Sequence, residues 1–162
     1  MNKIITININ EIDKFTVLNK RSKDVIEINS EVKKIVSNMI KLVKSIDYAT
    51  GVSAIQLGIP LRIFIVNIDK TLEKEIIAIN PRVISISGRI KERMEGCLSL
   101  PNFKGPVKRR NKIQFEATNA IGELYRYSAS GYEAAVIQHE IDHLNGILFW
   151  NRMDNIDKLK KI

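Results

Sequence analysis

Val32, Ile35, Val36, Met39, Val43 and Ile46 recur three or four positions apart, the spacing that lines one face of an α-helix. The pattern predicts an amphipathic helix over 31–46, with Ser30 as its N-cap and the apolar stripe turned to a core. From Gly51 to about Ser130 the period shortens. Segments 62–68, 74–80, 83–90, 112–117 and 123–128 are short β-branched or alternating runs bounded by turn residues, which read as strands. Residues 101–111 are polar and strongly basic and read as a loop. Ser130-Gly131-Tyr132-Glu133 then has the layout of a capping box opening a second helix, and Gly146 suits a left-handed cap at its end. The order predicts an α+β fold: antiparallel β-sheets packed around a C-terminal helix, with an N-terminal helix, in one domain over 1–162.

Composition narrows the class. With 44% hydrophobic and 27% charged residues, the 162-residue chain can bury a core and is not disordered. A single Cys cannot form an internal disulfide, so a reducing compartment is the default. No apolar run approaches the ~18 residues of a membrane span. The first residues lack the layout of a signal peptide, and Glu11 and Asp13 are too acidic for a transit peptide. A cytoplasmic protein with no membrane partner is expected. The net charge of +8 attracts polyanions. Ile, Lys and Asn are all abundant, however, and the few aromatics do not interleave with the basic residues, so no dedicated nucleic-acid site is expected.

The chemistry lies in Gln138-His139-Glu140-Ile141-Asp142-His143, which holds the only two histidines. Residues four apart stand one turn above another, so both imidazoles can reach one metal ion. Two imidazoles do not complete a catalytic site, which usually takes three protein ligands and leaves a position for water. The zinc-protease pattern with a third His has Phe149 in that place. A returning helix with a Glu is also missing, since only Asp154 and Asp157 follow in a short stretch. The remaining soft ligand is Cys97, in Glu95-Gly96-Cys97-Leu98-Ser99. A lone Cys is ordinarily a small buried hydrophobe, but a His pair in want of a ligand reverses that reading. A closed structural zinc would need a fourth Cys or His, and the chain has none. Cys97, His139 and His143 with an open fourth position are therefore the expected metal ligands. Such a metal generates hydroxide near neutral pH, and Glu140, between the two His, is placed to exchange protons with water and leaving group.

These segments resemble the peptide deformylases. Glu95-Gly96-Cys97-Leu98-Ser99 is similar to that family's Cys motif, Gln138–Gly146 to its helical metal motif, and Gly51-Val52-Ser53-Ala54-Ile55-Gln56 to its Gly-rich segment. The resemblance implies a hydrolase that removes the N-formyl group from the formylmethionine of newly made polypeptides and releases formate. It implies Fe(II) as the metal, although the ligand set suits Zn(II), Ni(II) or Co(II) equally. Gln56 and the Leu98 N–H become oxyanion donors, and a formyl-Met nascent peptide lies as an added strand at Gly51 and Gly96. Tyr132, Ala135 and Val136 match positions that line the methionine pocket. Without the motif they would read as core, and Gln56 as a loop amide. Asp142 is either an acceptor holding a ligand imidazole or a solvated helix acid. A transient ribosome association fits the family and the basic charge.

The family motif usually opens Glu-Gly-x-Gly-Leu-Ala-Ala, whereas this chain has Tyr48-Ala49-Thr50-Gly51-Val52-Ser53-Ala54. Lys104 stands where some members carry a substrate-contacting Arg, and one point charge replaces a planar fork. The alternatives are a metallopeptidase of other specificity and a basic ribosome- or RNA-associated protein with a relict metal site.

Overall fold

The computed structural model describes residues 3–69 and 74–162. Helix α1 spans Ser30–Ser45 and strand β1 Gly51–Ser53. Strands β2 (Ile63–Val66), β3 (Ile76–Cys97), β4 (Leu100–Thr118) and β5 (Leu124–Ser130) follow. Helix α2 spans Gly131–Leu144, and β6 (Lys160–Lys161) comes last. The α+β class expected from the sequence is the one observed. The strands form one antiparallel sheet in the order β1-β2-β3-β4-β5, with β6 added to β4.

Helix α1 buries Val32, Val36, Met39 and Val43 against β1–β3 residues Val52, Ile63, Ile65 and Ile79, while Ile35 and Ile46 lie half-buried at the edge of the stripe. Its N-cap is Asn29 and not Ser30: the Asn29 carboxamide oxygen accepts from the N–H groups of Glu31 and Val32 at 3.1 Å each. Such a cap is typically worth ~1 kcal/mol.

The largest departure from expectation is at residues 101–111, which are strand and not loop. They form the first half of β4, in which Lys104–Arg110 pair with Ile90–Gly96 of β3 and Phe103 and Lys104 with β6. Lys104, Lys108, Arg110 and Lys112 face solvent, while Gly105, Val107, Arg109 and Ile113 face inward. Period-two alternation is present, but an arginine and a glycine occupy inward places and disguise it. The runs at 74–80 and 83–90 likewise belong to one strand, β3, with register shifts between them.

Helix α2 packs Ala134, Ile137, Ile141 and Leu144 against Phe64, Phe115 and Ala117 of the sheet. It is buried from Ala134 through Leu144, polar residues included. The expected capping box does not close: Ser130 is the N-cap residue without a side-chain cap bond, and Glu133 instead accepts from the Tyr127 hydroxyl at 3.1 Å. The other end is as expected. Gly146 has φ +74°, its N–H bonds the His143 carbonyl at 3.1 Å, and Ile147 N–H bonds that of Asp142 at 2.9 Å. This left-handed cap stops the helix just past its second histidine. Among the described residues no helix is long and apolar enough to cross a membrane.

Candidate metal centre

Helical spacing stacks His139 and His143 on one face of α2, with ring centroids 4.8 Å apart. Cys97 closes β3 beside them, its Sγ 3.2 Å from Nε2 of His143. One ligand atom from each of the three residues falls within 4.8 Å of the others. The three residues named from the sequence thus converge on one point.

The donor set fits a divalent ion. His139 directs Nδ1 at Oε2 of Glu95, 3.0 Å away, so its Nδ1 carries the proton and Nε2 is left for the cluster. Burial pushes the Cys97 thiol up, but the two imidazoles outweigh it and hold the thiol well below its ordinary range. Burial likewise pushes His139 down, and Cys97 with Glu95 outweigh that and raise it well above the ordinary imidazole range. A thiol held low beside two imidazoles is a donor set whose charge a cation can take over.

Glu95 anchors a buried ion network. Arg109, on β4, donates through Nε and Nη2 to the Glu95 carboxylate at 2.5 and 2.9 Å, and through Nη1 to Asp142 at 2.8 Å. Arg152 completes it, with Nη2 2.7 Å from Asp142 Oδ1. Burial pushes Glu95 up, yet His139 and Arg109 prevail and bring its pKa from 4.5 to about 2. Asp142 is therefore neither of the things expected of it. It is 6% exposed and bound to two guanidinium groups, while the acid that holds an imidazole is Glu95.

Glu140 lies on the same helix, 4% exposed. Burial raises its pKa, with His139, His143 and a Ser53 hydrogen bond opposing that shift. Gly51 of β1 lies against its carboxylate: a Cβ there would fall 2.6 Å from Glu140 Oε1. Gln56 is 2% exposed, and its Oε1 accepts from the Ser53 N–H at 2.9 Å. That bond sends Nε2 toward Ser99 Oγ at 3.1 Å and Cys97 Sγ at 3.4 Å. Leu98 sits in the turn joining β3 to β4, next to the thiol.

Gln56, Glu95, Cys97, Leu98, His139 and Glu140 border a cleft of about 480 Å³, whereas His143, Ser53 and the Arg109–Asp142–Arg152 part of the network do not. Gly51 of β1 and Gly96 of β3 line it, as do Tyr132, Ala135 and Val136 of α2. Tyr132 is half-exposed, its hydroxyl 3.5 Å from that of Thr50. Tyr48, Ala49 and Lys104 also border the cleft, whereas Val52 does not and is buried under α1. Sequence reasoning assigned no role to Glu95, Arg109 or Ser53. The available signals were Glu95 two residues before the Cys and Ser53 inside the Gly-rich motif.

The family model described as polypeptide deformylase matches residues 2–159. A peptide deformylase of Dictyoglomus turgidum is 40% identical over 136 residues, covering 84% of this chain and 86% of that relative. One from Carboxydothermus hydrogenoformans is 41% identical over 136 residues, covering 80% and 87%. The crystal structure of peptide deformylase from Thermotoga maritima superposes with a TM-score of 0.85 at 32% identity, over 96% of this chain and 99% of that one. Such matches run along nearly the whole sequence and through the cleft itself, so the chain belongs to the polypeptide deformylase family, the metal-dependent hydrolases that remove the N-formyl group from newly made polypeptides.

Proposed function

We propose that Cys97, His139 and His143 hold one divalent ion, Fe(II) in the cell, and that Glu140 carries the proton in hydrolysis of the formyl amide. The observation supporting this reading is the convergence of three ligand atoms within 4.8 Å, with the Glu140 carboxyl on the same helix and in the same cleft. When bound, the ion supplies Lewis acidity and lowers the pKa of a water, to ~7 in zinc enzymes. Zn(II), Ni(II) and Co(II) suit the same donors.

Glu140 takes the water's proton and returns one to the leaving amine, a service typically worth ~10²–10⁴-fold. Its burial lifts the carboxyl toward neutral pH, which suits a group that must both accept and donate. The Gln56 amide and the Leu98 N–H donate to the developing oxyanion, each such donor worth ~2.7–4 kcal/mol of barrier. Gln56 arrives oriented, because the Ser53 N–H fixes its oxygen. The formylated nascent peptide lies along the cleft at Gly51 and Gly96, and its methionine side chain enters beside Tyr132, Ala135 and Val136. Lys104, which also borders the cleft, offers a single cation to the peptide. The enzyme works in the cytoplasm, meeting its substrates at the ribosome through transient association.

The test is a comparison of formyl-Met, acetyl-Met and unblocked peptides with anaerobically prepared, metal-loaded protein. Formate release from the first, with no turnover of the others, is expected. Turnover of the unblocked peptide alone would show a metallopeptidase instead.

A further inference from the structure

We propose that Ser53 is a positioning residue for Glu140, holding the acid–base carboxylate between its own hydroxyl and the α-carbon of Gly51. The proposal rests on the reading of Glu140 given above.

The geometry is specific. Ser53 is fully buried at the end of β1. Its Oγ lies 2.7 Å from Oε2 of Glu140 and 3.0 Å from the backbone carbonyl of the same residue. One hydroxyl proton thus faces two acceptors of one glutamate, and the serine ties the tip of that side chain back to its own main chain. A glutamate side chain has three rotatable bonds, and this bridge restricts them. Gly51 makes room for the same carboxylate: a Cβ there would sit 2.6 Å from Oε1. The Ser53 hydroxyl bonds the carboxylate and the Gly51 backbone lies against it.

Ser53 also serves the second half of the site through a different atom. Its N–H fixes Oε1 of Gln56 at 2.9 Å. Acid–base carboxylate and amide donor are therefore registered against one residue of β1. A change to alanine removes only the hydroxyl and leaves the N–H on Gln56, which makes the carboxylate's share separable.

Ser53→Ala, Ser53→Cys and Glu140→Gln are to be compared as metal-loaded enzymes, with metal content, kcat and KM for a formyl-Met peptide measured on each. A hydrogen bond to a charged group lost from a buried site corresponds to about a tenfold fall in kcat. That fall is expected in Ser53→Ala with KM and the one-ion stoichiometry unchanged. A smaller fall is expected in Ser53→Cys, which keeps the volume and a weak donor and carries the test should the alanine variant not fold. A merely structural serine would lower the amount of folded, metal-loaded protein without touching kcat per loaded site. An unchanged kcat in Ser53→Ala, beside an inactive Glu140→Gln, overturns the positioning role alone. Activity in Glu140→Gln overturns the reading beneath it.

Discussion

Oε2 of Glu95 accepts from Nδ1 of His139 at 3.0 Å, and this one contact joins the candidate metal ligands to a buried ion network. The carboxylate orients the imidazole and raises its basicity, so its removal should be felt at the metal. Glu95→Gln keeps the shape and loses the charge. Metal affinity measured by chelator competition should fall about 10- to 100-fold. Unchanged affinity would show that His139 needs no such support.

Arg109 carries the other end of the network. Its side chain is 6% exposed and faces two carboxylates, Glu95 and Asp142. Removing one partner of a buried ion pair leaves the rest uncompensated, at a cost of about 3–5 kcal/mol. Arg109→Met should therefore lower unfolding stability by that order in denaturant titration. Lys108→Ala is the contrast, because its bridge to Asp154 stands in solvent and should matter little. Equal effects of the two would contradict the network's role.

This pair also shows what a sequence conceals. The candidate metal ligands were legible as a cluster because Cys and His are scarce and a helix brings residues four apart onto one face. Glu95 and Arg109 are 14 residues apart on opposite strands of a hairpin, and nothing in periodicity connects them. The same Arg109, at an inward position of β4, broke the alternation that would have revealed residues 101–111 as strand. Helix α1 could be read from its apolar stripe, whereas the cap read as Ser30 falls one residue earlier on Asn29, which only its extended backbone and side-chain bonds reveal. Glu133 met the capping-box pattern yet found a better partner in Tyr127, brought close by the packing of β5 beside α2.

Acid should act on the fold through Glu95. Its pKa lies at about 2 in the folded chain against an ordinary 4.5. A depressed carboxylate contributes stability that is complete above the unfolded value and lost as pH falls through the folded one. Denaturant unfolding followed from about pH 4.5 down to about pH 2 should show stability declining with pH. Glu95→Gln should be less stable at neutral pH and show a flatter decline across that window. A parallel decline in both proteins would assign the acid sensitivity elsewhere.

Gly51→Ala places a methyl 2.6 Å from the present position of Glu140 Oε1. No real Cβ tolerates that separation, so the carboxylate must move. Steady-state formate release should fall at least about tenfold, the loss expected of a misplaced acid–base group, with the metal still bound. Wild-type activity would mean that the carboxylate can work from another position.

The roles of ligand and acid–base are separated most directly by measuring metal content and formate release together on Glu140→Gln and Cys97→Ala. Glu140→Gln should bind one ion per chain and release no formate, while Cys97→Ala should lose tight binding of the ion. A Glu140→Gln enzyme that releases formate at a near-normal rate, or a Cys97→Ala protein that still holds one tightly bound ion, would contradict the assignment.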